Sequence, residues 1–137
     1  KFTNIPMSDW ITKNQKNFLN KKDFFLYLFL PNRKKNYQRV DDRFNIMINQ
    51  GAIDEVKELL RLKLNNSLPI MRAHGVPEIT SYLQGKINLE ECVEKSQQVT
   101  RNYVKRQHTW WGSNIVRNHQ KFDEFPDEID LKSINLK

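Results

Sequence analysis

The chain has 137 residues, of which 38% are hydrophobic and 28% charged, a profile that predicts one soluble domain with a modest core. Lys and Arg outnumber Asp and Glu by 23 to 16, and the surplus lies in residues 1–112, whereas residues 113–137 are slightly acidic. The net positive charge of residues 1–112 favours a polyanionic partner. A charged surface that only keeps the protein soluble would give the same excess of Lys and Arg over Asp and Glu.

Cysteine usage and hydropathy narrow the class of protein further. The single cysteine, Cys92, excludes an internal disulfide and a cysteine-based zinc site, so we expect a reducing compartment, the cytoplasm. The sequence contains no run of about 18 apolar residues, so we expect no membrane partner. His74 and His119 have no second ligand at a recognisable spacing, and we do not expect either to bind a metal.

Residues 24–30, FFLYLFL, form an unbroken apolar run that ends at Pro31. The run is too short for a typical helix and lacks the alternation of a half-exposed strand. It therefore favours a strand buried on both faces, as in a parallel sheet covered by helices. No second strand is evident in the sequence, so we expect the rest of that sheet to lie outside this chain. A buried segment of an all-helical domain is the alternative.

A helix is predicted after Pro31, with a stop at Gly51 and a second amphipathic helix in AIDEVKELLRLKL. Arg39 and Arg43 lie four residues apart on one face of the first helix, where two guanidinium groups can bind one phosphate group. Such a pair is more often solvated or bridged to neighbouring aspartates. The apolar residues on the opposite face are Tyr37, Val40, Phe44, Met47 and Ile48.

Residues 69–86, PIMRAHGVPEITSYLQGK, predict an irregular start and then a helix beyond Pro77 that ends at Gly85. A longer helix begins at a capping box formed by Asn88 and Glu91 and continues through the segment TRNYVKRQHTWWG. Its apolar residues keep helical spacing as far as the tryptophans. They are Leu89, Cys92, Val93, Val99, Tyr103, Val104, Trp110 and Trp111.

The segment TRNYVKRQHTWWG crowds basic residues against aromatic ones. Arg101, Lys105 and His108 would share one flank of the helix. Arg106 would lie on the other flank, and Gln107 would fall inside the apolar stripe. Two interpretations stay open. Either the tryptophans are core and the basic residues are solvated, or the basic residues bind phosphates while an aromatic ring or an amide meets a base, as is typical of RNA recognition.

Three segments, in this order and at these intervals, closely resemble the carboxy-terminal half of tRNA dimethylallyltransferases, also called tRNA isopentenyltransferases: DDRFNIMINQGAIDEVKELL, MRAHGVPEITSYLQGKI and TRNYVKRQHTWW. NIPMSDW is similar to the end of the family's helical insertion. The resemblance implies a parent fold with a P-loop-type α/β core, to which this mostly α chain supplies about one buried strand and several helices. The implied divisions are residues 1–20 as the end of the insertion, 21–112 as the carboxy-terminal part of the core with tRNA-contacting helices, and 113–137 as an irregular tail.

The resemblance also implies an activity. Members of the family transfer a dimethylallyl group from dimethylallyl pyrophosphate to the exocyclic amine of the adenine 3′ of a tRNA anticodon, and Mg²⁺ assists the departure of pyrophosphate. The implied partner is the tRNA anticodon stem-loop, bound by a monomer.

The family's Gly-x-Thr-x-x-Gly-Lys-Ser phosphate loop and its general-base aspartate have no counterpart in this sequence. We therefore expect no catalytic residue and no metal ligand here, and expect the chain to be inactive alone, as the carboxy-terminal portion of a longer transferase. A free-standing RNA-binding module that kept these helices without the chemistry is the alternative.

Carried over onto this sequence, the resemblance implies two tRNA-contacting stretches and a pyrophosphate contact at Arg39 or Arg43. Gly75 is expected to let the RNA backbone come close. At Val76 and Pro77 the chain departs from the family, which usually has an aromatic residue and commonly a basic one there. The first stretch is Arg72, Ala73, His74, Gly75, Val76 and Pro77. The second stretch is Lys105, Arg106, Gln107, His108, Thr109, Trp110, Trp111 and Gly112.

Overall fold

The structure, a computed structural model, describes residues 9, 25–114, 119–130 and 134. These residues fall into two compact units, one made from the described parts of 1–29 and 115–137 and the other from residues 30–114. The expected insertion segment, residues 1–20, and the NIPMSDW stretch lie outside the described residues except for Asp9, which is helical. The predicted mostly α composition is confirmed, while the P-loop-type parent fold stays a prediction.

The first unit contains a two-stranded parallel sheet. Strand β1, Leu26–Phe29, pairs with strand β2, His119–Phe122, in a register that sets Phe29 opposite Phe122. The two rings of that last pair stack with centroids 4.9 Å apart and planes 16° apart, which adds side-chain packing to the backbone ladder. A short 3₁₀ turn, Pro126–Glu128, follows β2.

This sheet corrects two of our expectations. A second strand does exist, and it lies in the segment that we expected to be irregular. The sequence of β2, HQKF, is mostly polar and too short to show periodicity, so the hydropathy pattern could not indicate it. Strand β1 is shorter than the apolar run, and within it only Leu28 is buried, so burial on both faces is not observed along its length.

The second unit begins with helix α1, Arg33–Asn49, which the Asn32 side chain caps by accepting a hydrogen bond from the Lys34 N–H at 2.9 Å. Gln50 is the C-cap, and Gly51 follows with φ of 105°, so the predicted stop is confirmed. Phe44 is the buried centre of the predicted apolar face. Met47, however, is 41% exposed, because it lies to one side of the line that Tyr37, Phe44 and Ile48 follow.

Two shorter helices complete the small core. Helix α2, Ala52–Arg61, follows α1, and after a 3₁₀ turn at Pro69–Arg72 comes helix α3, Val76–Leu83. The core cluster consists of Phe44, Ala52, Val56, Ile79 and Cys92. The cluster joins the four described α-helices of this unit. Phe44 lies in α1, Ala52 and Val56 lie in α2, Ile79 lies in α3, and Cys92 lies in the long helix that follows.

Helix α4, Leu89–Ser113, has 25 residues and contains the whole TRNYVKRQHTWWG segment. The predicted capping box is present. The Glu91 N–H donates to Asn88 Oδ1 at 2.8 Å, and the Asn88 N–H donates to Glu91 Oε2 at 3.0 Å. This reciprocal pair fixes where the helix begins.

The buried side of α4 differs from the predicted stripe. Cys92, Ser96, Thr100 and Val104, spaced by four, are buried, whereas Leu89, Tyr103 and Trp110 of the predicted stripe are exposed. The hydroxyls of Ser96 and Thr100 donate to the carbonyls four residues earlier, at 2.8 and 3.0 Å. Small side chains that satisfy their own hydroxyls in this way can lie in a helix interface although they are polar.

Helix α1 packs antiparallel on α4 through polar contacts. Gln97 Nε2 donates to the Asp41 carbonyl at 3.2 Å and to Asn45 Oδ1 at 3.1 Å. One turn further along α4, Arg101 forms an ion pair with Asp41 at 2.7 Å. These contacts fix the register of the two helices. The second expected RNA-contacting stretch lies beyond them, in the carboxy-terminal half of α4.

Candidate nucleic-acid interface

The two expected RNA-contacting stretches are brought together in space at Tyr103. The His74 ring, in the loop before α3, meets the Tyr103 ring of α4 edge to face, with centroids 5.4 Å apart and planes 75° apart. Tyr103 is 45% exposed. It is absent from our predicted site residues, because helical spacing assigned it to the apolar stripe. The signal that could have found it is its position one turn before Arg106.

Arg106 contacts the same ring. Its guanidinium carbon lies 5.7 Å from the centroid of the Tyr103 ring, within the range of a cation–π contact. Lys105 and Arg106 are both exposed, and neither forms an ion pair with a carboxylate in the described part of the chain. Two adjacent cations are therefore available to a polyanion on this half of α4.

An open groove of about 590 Å³ runs along the end of α4. Its polar side chains are largely engaged with the helix backbone: Thr109 Oγ1 donates to the Lys105 carbonyl at 2.9 Å, and Ser113 Oγ donates to the Thr109 carbonyl at 3.1 Å. The side chains of Lys105, Arg106 and Trp110 are therefore the ones that a ligand in the groove could contact. The lining residues are Asn102, Lys105, Arg106, Thr109, Trp110, Ser113 and Asn114.

The two tryptophans of the TRNYVKRQHTWWG segment differ in their burial. Trp110 is 55% exposed and lines the groove, so the interpretation that both tryptophans are core is wrong for it. Trp111 is half-buried, and the two rings meet at right angles with centroids 4.8 Å apart. An exposed indole braced by a half-buried one, beside two cations, is an arrangement suited to stacking on a base.

Gln107 is exposed, which corrects the expectation that it falls in the apolar stripe. The buried residues of α4 are spaced by four, so the position that follows Val104 on this face is the half-buried His108. Gln107 lies outside this face. The amide is thus accessible and needs no buried partner. Thr109 and Gly112 are likewise exposed.

Gly75 has a structural reason for being glycine. Its φ of 94° lies in the left-handed region, and a Cβ there would come within 3.1 Å of Phe44 Cε2. The Phe44 ring makes a close approach at this position, and the expectation that Gly75 lets the RNA backbone come close stays a prediction. In the first expected tRNA-contacting stretch, Val76 is half-buried. The exposed residues of that stretch are Arg72, Ala73, His74 and Pro77.

Arg101 differs from the other cations of the segment. Its guanidinium binds Asp41 Oδ2 at 2.7 Å and Gln98 Oε1 at 2.9 Å, and the side chains of the ion pair are only 23% and 22% exposed. Arg101 therefore holds α4 to α1. Arg39 and Arg43 are exposed on α1 and do not line the groove, so their contact with pyrophosphate stays a prediction.

The described residues offer no evident nucleophile or metal site. Burial raises the pKa of the Cys92 thiol, an effect that the hydrogen bond with Ser96 opposes and the charge of Glu78 reinforces, so the thiol is neutral near pH 7. Within residues 25–114 and 119–130, no three His, Cys, Asp or Glu side chains converge on a possible metal position. No helix in the described part of the chain is long and apolar enough to cross a membrane.

Comparison with known proteins identifies the family. The family model for IPP transferase matches residues 1–114, and the chain belongs to that family. The tRNA dimethylallyltransferase of Wolbachia sp. subsp. Brugia malayi is 52% identical over 108 residues, which cover 75% of this chain and 36% of the relative. That of Ehrlichia ruminantium is 46% identical over 115 residues, covering 84% of this chain and 37% of the relative. The resemblance seen in the sequence is confirmed.

Two solved structures agree with this assignment. A tRNA delta(2)-isopentenylpyrophosphate transferase from Staphylococcus epidermidis matches with a TM-score of 0.64 and 30% identity, over 72% of this chain and 32% of that one. The full-length tRNA isopentenylpyrophosphate transferase from Bacillus halodurans matches with a TM-score of 0.64 and 29% identity, over 76% and 34%. The chain thus spans about a third of the length of the relatives that it matches.

Proposed function

We propose that the full-length protein containing this chain is a tRNA prenyltransferase. It transfers a dimethylallyl group from dimethylallyl pyrophosphate to the exocyclic amine of the adenine 3′ of the anticodon. A bond forms between that nitrogen and the first carbon of the dimethylallyl group, the carbon–oxygen bond to pyrophosphate breaks, and the amine loses a proton to a base. Membership of the IPP transferase family supports this proposal.

The part of the work that we assign to these residues is RNA binding. The observation that carries the assignment is the meeting of the RAHGVP loop and the KRQHTWWG helix at Tyr103, which gathers both expected contact stretches on one unit. Lys105 and Arg106 neutralise phosphates of the anticodon arm, and each contact of that kind releases counterions. Trp110 offers its indole to a base.

Arg39 and Arg43 are our candidates for the pyrophosphate group. They are exposed and four residues apart on α1, so both guanidinium groups can reach one anion. The described residues contain no set of side chains that would hold the Mg²⁺ implied by the family. We place no other step of the chemistry on this chain.

The test uses the full-length protein with radiolabelled dimethylallyl pyrophosphate and two anticodon stem-loops that differ at one base. One carries adenine 3′ of the anticodon and the other carries guanine there. Label in the adenine RNA alone supports the proposal. Binding of both RNAs without transfer of label would instead support an RNA-binding module without catalysis, and absence of binding to either would contradict both functions.

A further inference from the structure

We propose that Tyr103 is a positioning residue, which holds the Arg106 guanidinium and the His74 loop in the arrangement that binds RNA. The inference rests on the proposed function, since it assumes that Arg106 meets an RNA phosphate. Neither the family resemblance nor the pattern of charges assigned a role to this tyrosine. The assignment comes from its contacts.

The first contact is with Arg106. An arginine on an exposed helix face has many rotamers, and ordering it at a phosphate costs side-chain entropy. The Tyr103 ring, three residues earlier and 5.7 Å from the guanidinium carbon, gives that group a preferred resting place on the same flank of α4. Arg106 is thus partly ordered before RNA binds.

The second contact is with the loop that carries His74. The neighbouring backbone hydrogen bonds of this loop are local, from the Ala73 N–H to the Ile70 carbonyl at 3.2 Å and from the Val76 N–H to the Ala73 carbonyl at 3.0 Å. Packing of His74 on Tyr103 is therefore a contact that ties the exposed part of the loop to α4. The ring is thus one of the contacts that set the spacing between the two stretches, beside the core packing of α3 on α4.

The ring itself is not free to stack on a base over its whole surface, because Arg106 and His74 already approach it. This distinguishes Tyr103 from Trp110, which is more exposed and lines the groove. We accordingly assign base stacking to Trp110 and positioning to Tyr103.

The salt dependence of RNA binding tests this division of roles. Each phosphate contact contributes about 0.7 to 0.9 to the slope of log affinity against log salt concentration. Arg106→Gln should make the slope shallower by about one contact. Tyr103→Leu removes no charge, yet it should also make the slope shallower by up to the same amount, because Arg106 loses its preferred position. Tyr103→Phe keeps the ring and should keep the wild-type slope.

The measurement is the dissociation constant of an anticodon stem-loop with the full-length protein, over a series of salt concentrations. Tyr103→Leu is expected to weaken binding roughly tenfold at low salt, and it should cost less when added to Arg106→Gln than when made in the wild type, because only the His74 contact then remains to be lost. Leu89→Ala, at the opposite end of the same helix and 40% exposed, is the control and should match the wild type.

A wild-type slope for Tyr103→Leu, or full additivity with Arg106→Gln, would overturn the proposal. Tyr103→Gln, which also lacks a ring and suits a helix, gives the same test if Tyr103→Leu folds poorly. The proposed function fails separately, through absence of prenyl transfer by the wild-type protein. The two failures are therefore distinguishable.

Discussion

The His74 and Tyr103 rings meet edge to face at 5.4 Å, and this contact joins a loop before α3 to the middle of α4. With Arg106 lying 5.7 Å from the same tyrosine ring, one side chain links the two stretches that we expect to contact tRNA. Substitutions at Lys105, Trp110, Gly75 and Arg101 separate the contributions of charge, base stacking, backbone conformation and helix packing to RNA binding and stability.

Lys105→Gln should weaken binding of the anticodon stem-loop by roughly threefold to tenfold at low salt and make the salt dependence shallower by about one contact. The reason is that Lys105 is exposed beside the groove and has no ion pair with a described carboxylate. Lys95→Gln is the matched control, because Lys95 is also exposed on α4 but near its other end. Equal slopes for the two variants would contradict the placement of RNA along the groove.

Trp110→Ala should weaken RNA binding roughly tenfold while leaving the free energy of unfolding nearly unchanged, because an exposed indole contributes stacking and little core packing. Trp111→Ala should do the opposite and destabilise the protein, since Trp111 is half-buried. Urea denaturation and RNA titration of both variants measure the contrast. If Trp110→Ala lowers stability and spares RNA binding, the indole belongs to the fold.

Gly75→Ala should destabilise the protein by about 1 to 3 kcal/mol, because alanine resists a positive φ and its Cβ would crowd the Phe44 ring. Gly51→Ala is the control. Gly51 has a similar φ of 105° but no atom within 4 Å of the added carbon, so it reports the backbone strain alone. Equal losses of unfolding free energy in the two variants would show that the Phe44 contact is unimportant.

Arg101→Met should destabilise the protein by about 1 to 3 kcal/mol, because it leaves the Asp41 carboxylate, only 22% exposed, without its cation. Arg61→Met breaks an exposed pair with Glu58 and should cost no more than about 0.5 kcal/mol. The salt dependence of RNA binding should stay at the wild-type value in both. A shallower slope for Arg101→Met would place Arg101 at a phosphate instead of between α1 and α4.

Much of the helical part of this fold follows from local sequence signals. The Asn88 and Glu91 capping box, the stop at Gly51 and the irregular segment before Pro77 all depend on side chains or backbone angles within a few residues, and the structure confirms each of them. Such features can be predicted from the sequence because their physical cause is local.

The features that sequence reasoning missed depend on distant partners. Strand β2 forms because β1 pairs with it, and its own pattern is uninformative. Ser96 and Thr100 are buried because α1 packs against them and their hydroxyls bond to the helix backbone. Tyr103 gains its role only when the loop carrying His74 folds onto α4, a contact that no spacing within α4 predicts.

The central claim is that tRNA lies against the groove at the end of α4. The most direct measurement is photocrosslinking of the full-length protein to an anticodon stem-loop carrying 4-thiouridine, followed by mass spectrometry of the crosslinked peptides. Our account predicts adducts within residues 102–114, reduced in Trp110→Ala and retained in Leu89→Ala. Efficient crosslinks that fall only outside this segment would contradict it.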